Sequence, residues 1–398
     1  MNKKVLFAAL IASLMSFSLV SCEDDKPDGE SIFDTTEGGL DPESKTYKFD
    51  RWLQVYFNEK YNVEFRYKMQ HISTDMSYNL VPATLENAED LALLTKYLWF
   101  DVYDELVGSD FLCLYGPKIL HLIGSPAYNP ANHTEILGLA EGGLKVSLFK
   151  VNELDTSNPE RMNEHYFKTM HHEFSHILHQ TKTYPKEFDN INTNDYEPSN
   201  WQDRNGAIVN SFGCTTTYAS SQAREDFAET CANYITRSYD QWDLLLWIAD
   251  RGWETTDEDD HAYAYFYYAS DSDRENGIKT YVGEYLAPES NDGVFGITNR
   301  VAKQSSGSYT YTSISQVFTT VAEAEAFFNQ QKARYDLQPV NDLDNKNGKE
   351  NILQKVSIVR NWFKEAWGLD LDALRDEVQR RQSAIDMDAL RAQVEAME

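Results

Sequence analysis

His172-Glu173-Phe174-Ser175-His176 sets two imidazoles four residues apart with a carboxylate beside the first. On a helix that spacing brings both rings to one face, one turn apart. Neutral imidazole nitrogens bind Zn²⁺ at about 2.0–2.1 Å, and a carboxylate held beside the ion can accept a proton from attacking water as general base. With 9 histidines in 398 residues, composition alone gives about 0.02 such matches, so the stretch decides how the chain around it is read.

Upstream, Asn158 stands where a helix is capped and Pro159 where its first turn begins. Met162, Tyr166, Phe167, Met170, Phe174, Ile177 and Leu178 recur at helical spacing as an apolar stripe, and both histidines lie off it. Catalytic zinc usually takes three protein ligands and leaves one position open, so a third ligand is expected elsewhere. The stretch Ser220 to Glu229 reads as the start of a second helix with serines at its cap. Phe227, Ala228, Cys231, Tyr234 and Ile235 form its buried stripe, while Glu225 and Glu229 share another face. One glutamate can reach the metal while the next accepts the free N–H of a bound imidazole. Glu225 is assigned to the metal and Glu229 to the imidazole; the reverse order and Asp226 are the alternatives.

The two motifs together resemble the gluzincins, a branch of the zincin metallohydrolases. Tyr218, seven residues before Glu225, sits where the anthrax lethal factor type of catalytic domain places its oxyanion-stabilising tyrosine. The resemblance implies His172, His176 and Glu225 on one zinc ion, Glu173 as base, and Tyr218 as hydrogen-bond donor to the tetrahedral intermediate. His179 and Lys182 occupy the positions where a metzincin would carry Gly and His, which argues against that branch. The chain is also similar to the zinc-binding metallopeptidase lipoproteins of Bacteroidetes, the substrate-import-associated zinc metallohydrolases. Tyr61 to Tyr67, His179-Gln180 with Tyr184-Pro185 and Phe188, and Trp367 to Asp372 carry that likeness. It implies an α/β (α+β) gluzincin-like fold, with a small N-terminal sheet and a mainly helical C-terminal half on either side of a zinc cleft. It also implies peptide or protein substrates and an outer-membrane nutrient importer as partner.

At the N-terminus, Lys3 and Lys4 precede an apolar run ending in Leu19-Val20-Ser21-Cys22, the form of a lipobox. Residues 1–21 read as a lipoprotein signal peptide, too short for a stable membrane span, and Cys22 as the lipidated residue that anchors the chain through acyl groups. Glu23-Asp24-Asp25 resembles a surface-export signal, so an outer-membrane lipoprotein displayed at the cell surface is expected. Removing residues 1–21 takes away two lysines and no acids, so the net charge of −28 becomes −30. That acidity argues against nucleic acid and anionic lipid surfaces as partners and keeps an exported protein soluble. Cys113, Cys214 and Cys231 are odd in number, which permits one disulfide but gives no disulfide framework.

Residues 22–45, rich in Asp, Glu, Gly and Pro, read as a flexible tether, 46–240 as the catalytic core and 241–398 as a mainly helical part. Within the core, Phe49 to Tyr61 and Leu85 to Leu106 are expected as helices, and Val63 to Met69, Ile119 to Gly124 and Leu144 to Val151 as strands. The last is either a strand whose edge aligns extended substrate or a plain core strand. Helices are expected over Trp242 to Ile248, Ile352 to Ala366, Asp370 to Arg381 and Asp386 to Met397. The echo between Leu369 to Arg375 and Ile385 to Arg391 reads as a duplicated helix cap. Gln304 to Ser315 reads as a hairpin or exposed loop, and Asp257 to Asp260 as a solvated acidic loop rather than a calcium site. Two other functions compete with a peptidase: a surface lipoprotein that captures peptide or glycan with a non-catalytic zinc, and a zinc hydrolase of a non-peptide bond. A fourth protein ligand would favour the first, and His179 is the residue near enough to supply it.

Overall fold

Three parallel strands and one antiparallel strand form the sheet beside the histidine pair, in the order β1 (Glu64–Arg66), β2 (Ile119–Leu122), β4 (Lys145–Leu148), β3 (Gly138–Glu141). The computed structural model describes residues 39–69, 79–128, 135–136, 138–141, 145–251, 254–255, 262–263, 265–282, 284–286, 295–303, 309–339 and 347–398. The lipobox, the tether up to residue 38 and the acidic run 257–260 lie outside them. Two units divide the chain, Met1–Arg51 and Trp52–Glu398. In the first, Thr46 Oγ1 donates to Asp50 Oδ2 at 2.7 Å at the start of helix α1 (Tyr47–Leu53).

The second unit holds the sheet. Leu120, His121, Leu122, Val146, Ser147 and Leu148 are all buried, as expected of strands covered on both faces. This corrects the alternative that gave Leu144 to Val151 a free edge. β4 is hydrogen-bonded to β2 on one side and β3 on the other, so its backbone groups are spent. The polar–apolar alternation suggested one open face, yet Ser147 is as buried as its neighbours. The edges of this sheet among the described residues are β1 and β3.

Helix α2 (Leu85–Thr95) continues through a π-helical turn, Lys96–Phe100, into Asp101–Val107. Its end presents Trp99 and Tyr103 edge-on to Phe174, at centroid distances of 5.4 and 5.3 Å. Such pairs contribute about 0.5–1.5 kcal/mol each beyond area burial. They seat the apolar stripe of the metal helix, which begins at Pro159–Met162, passes a π-helical turn at Asn163–Phe167 and continues as α3 (Lys168–Thr181). Asn158 Oδ1 caps it by accepting from Arg161 N at 3.0 Å. Every residue of the predicted stripe is buried.

Helix α4 (Ala223–Thr236) starts later than its sequence suggests. Ser220 and Ser221 belong to the 3-10 turn Tyr218–Ser221, where Ser220 Oγ donates to Thr217 O at 2.7 Å. Gln222 is the N-cap residue and makes no side-chain cap bond. Glu225 and Asp226 in the first turn supply the negative charge that suits a helix N-terminus.

Helices α5 (Gly348–Trp367), α6 (Leu371–Gln382) and α7 (Met387–Glu395) follow near the C-terminus. Asp370 Oδ1 and Asp386 Oδ1 cap α6 and α7 in the same manner, which accounts for the sequence echo. α5 and α6 pack on α4. Arg375 Nη1 donates to Tyr234 O at 2.8 Å, and Gln379 Nε2 to Thr236 O at 3.0 Å. Residues 241–398 are not helical throughout: strands β5 (Phe295–Lys303) and β6 (Tyr309–Phe318) form an antiparallel hairpin between the helices Tyr239–Ala249 and Val321–Tyr335. Cys113, Cys214 and Cys231 are free thiols.

Candidate metal centre

Three atoms converge at the start of α4 and the middle of α3. His172 Nε2 lies 3.1 Å from His176 Nε2, and Glu225 Oε2 lies 3.2 Å from each. Among the described residues these are the three side chains grouped closely enough to hold one ion. Tetrahedral zinc with ligands at 2.0–2.1 Å requires ligand atoms about 3.3–3.4 Å apart. The triangle is that size to within about 0.3 Å, and two imidazoles with one carboxylate are a zinc donor set. The chain's own residues therefore fit the ion.

Each ligand is held from behind. His172 Nδ1 is 2.9 Å from Glu229 Oε1, so Glu229 takes the imidazole N–H while Glu225 faces the triangle. Glu229 is fixed by Thr216 Oγ1 at 2.6 Å, Asn233 Nδ2 at 3.2 Å and Lys168 Nζ at 3.4 Å. The other oxygen of Glu225 accepts from Gln222 Nε2 at 3.3 Å. His179 Nε2 sits 2.8 Å from His176 Nδ1, on the ring edge away from the triangle, so it does not close the site as a fourth ligand.

Asp226 is turned the other way. Its Oδ2 is 2.5 Å from Lys355 Nζ on α5 and accepts from Tyr196 Oη at 2.9 Å, with both members of the ion pair fully buried. It lies outside the triangle, and of the alternatives for the third position the structure brings only Glu225 to the histidines.

The electrostatics follow from this packing. Burial opposes charge on His172, but hydrogen bonds to Glu225 and Glu229 outweigh it and raise the ring to about 10. Burial pushes Glu225 up, and the two histidines outweigh it and hold the carboxyl well below its usual range. Without an ion, His172 is thus a cation between two carboxylates, and a metal entering the triangle displaces its proton. Glu173 is raised by burial against the opposing pull of His172 and His176, which makes it a stronger base than an exposed glutamate. Tyr218 stacks beside His172 at 5.8 Å and meets Trp201 edge-on at 4.8 Å. Burial and the Glu225 carboxylate, which its hydroxyl faces, raise its pKa and keep it a proton donor.

Glu173, Tyr218, His172, His176, Glu225 and Glu229 are thus in one place. Sequence reasoning missed Gln222, Thr216, Lys168, Asn233 and the orientation of His179. Gln222 stands three residues before Glu225, Lys168 four before His172 and Asn233 four after Glu229, helical spacings that could have marked them; Thr216 carries no such signal.

Residues 42–372 match a family model described as "Putative zinc-binding metallo-peptidase". Among solved structures, the crystal structure of a putative zinc-binding metallo-peptidase from Bacteroides caccae ATCC 43185 at 2.10 Å is similar to this chain. The two are 32% identical over 90% of this chain and 99% of that one, with a TM-score of 0.56. No curated protein matches. With both matches running over most of its length, the chain belongs to the zinc-binding metallo-peptidase family.

Proposed function

We propose that this protein is a zinc-dependent peptidase, held at the outer membrane by lipid on Cys22 and facing the cell exterior, whose products feed a nutrient importer. The observation that carries the catalytic part is the triangle of His172, His176 and Glu225 with the half-buried Glu173 beside it. The lipobox and the acidic residues after it support the location, and the family likeness supports the link to import. Zinc bound by those three side chains would polarise the scissile carbonyl and make water a nucleophile at neutral pH.

The residues then have distinct tasks. Glu173 takes the proton of the attacking water and returns it to the leaving amine, a role served by its raised basicity. Tyr218, protonated at working pH, swings its hydroxyl from Glu225 toward the developing oxyanion. Glu229 keeps His172 in the tautomer whose Nε2 faces the ion. The edge strand β3 is the backbone available to an extended peptide.

The test uses protein lacking residues 1–21, assayed for zinc content and for turnover of a peptide library beside Glu173→Gln. The variant is expected to keep one zinc per chain and lose about 10²–10⁴-fold in kcat. Equal cleavage by both proteins would refute the assignment of the base. Zinc bound with no cleavage by wild type would turn the reading toward capture of peptide or glycan, or toward a non-peptide bond.

A further inference from the structure

His179 lies one turn beyond His176 on α3, and the chemistry above leaves it without a task. Its ring is 7% exposed. Tyr184 meets it edge-on at 5.5 Å and Phe227 at 6.2 Å, and those two rings stack on each other at 4.1 Å. Within that packing its Nε2 faces His176 Nδ1 at 2.8 Å.

Two ring nitrogens at that distance must share one proton between them. A His176 ring that offers its Nε2 lone pair to a metal carries its proton on Nδ1. His179 Nε2 must then be the acceptor. We propose that His179 is a positioning residue for the metal: its Nε2 lone pair selects the His176 tautomer that can bind the ion and fixes the plane of that ring. The proposal rests on the zinc reading of the site.

This arrangement makes the two histidine ligands unlike. His172 donates to a carboxylate, Glu229, which draws its N–H proton outward and strengthens the ring as a donor to the ion. His176 donates to an uncharged imidazole, which draws the proton less. The ion therefore receives less electron density from His176 and stays more electrophilic than it would between two carboxylate-backed histidines.

The test compares metal-free wild type, His179→Phe and His179→Gln. Phenylalanine keeps a ring against the edges of the Tyr184–Phe227 stack without a lone pair; glutamine supplies a carbonyl acceptor. The readouts are melting of the metal-free protein, zinc affinity by competition with a chromophoric chelator, and the visible spectrum of the cobalt-substituted protein. His179→Phe is expected to weaken zinc binding about 10–100-fold and shift the cobalt bands while metal-free melting stays near wild type. His179→Gln is expected to recover most of the affinity. Wild-type affinity and spectrum in His179→Phe would overturn the proposal, as would equal weakening in both variants, which would mean that ring shape and not the acceptor matters. If wild type itself binds neither zinc nor cobalt, the metal reading fails first and the two failures are told apart.

Discussion

Replacing Asp226 with alanine tests whether α4 is set in the register that delivers Glu225 to the histidines. In the folded chain the Asp226 carboxylate meets Lys355 Nζ at 2.5 Å where neither side chain is exposed. Lys355 would keep only Gly213 O at 2.8 Å and the face of Phe188 at 5.6 Å. Breaking one side of a buried ion pair costs about 3–5 kcal/mol, against a typical domain stability of about 5–15 kcal/mol. At roughly 2–4 °C per kcal/mol for a chain of this order of size, the melting temperature should fall by about 10 °C. Zinc content at a temperature where the protein is folded should not change. Glu225→Ala should do the reverse, losing the ion while the metal-free protein melts close to wild type. The double variant Asp226→Leu/Lys355→Met removes both charges and should regain most of the stability, since apolar replacement of a buried pair is often neutral or better. Calorimetry with elemental analysis of the same samples reads both quantities. An Asp226→Ala protein that melts like wild type and has lost its zinc would refute the reasoning.

Burial lowers His171 from its ordinary 6.5 to about 3, so between those values the unfolded chain binds a proton that the folded chain does not. Stability from this group is complete above about pH 6.5 and falls as the pH drops toward 3, by about 2 kcal/mol at pH 5; urea titrations of His171→Gln should show a flatter dependence, and an unchanged slope would count against it. Removing zinc with a chelator should lower the melting temperature, because an ion at a thousandfold excess over its Kd stabilises by about 4 kcal/mol; identical melting with and without metal would contradict the site. Glu229→Ala should weaken zinc affinity about 10–100-fold, measured by chelator competition, and unaltered affinity would mean that His172 is oriented without it. Cys22→Ala should move the protein from the membrane fraction to the soluble fraction, read by fractionation and blotting; continued membrane association would remove lipid as the anchor.

The pairing of His172 with His176 was legible because helical spacing is a local property: four residues return a side chain to the same face; Glu225, 49 residues from His176 on another helix, was reached from the need for a third ligand and the acidic face of its helix. The Glu229 contact to His172 was legible for the same reason, as one turn from Glu225. What pairing decides was not. Leu144, Val146 and Leu148 announce a strand, but whether it stands inside or at the edge depends on Gly138–Glu141 folding back beside it, which no pattern within the strand reveals. Ser220 and Ser221 look like caps, and their use in a 3-10 turn depends on Thr217 and the packing around Tyr218. The hairpin of β5 and β6 was one of two readings of Gln304 to Ser315, and its extent was missed because its strands run well beyond that stretch.

The tie between Asp226 and Lys355 spans 129 residues of chain. It joins the helix bearing the third metal-facing side chain to one that leaves the ribosome and any export channel much later. Until α5 docks, α4 carries a carboxylate with no cation to meet it, so the third corner of the triangle gains its support late in biogenesis. A chain truncated before Gly348 would retain the His172–His176 stretch intact but leave the Asp226 carboxylate without its cation, so the seating of α4 is completed only when α5 arrives.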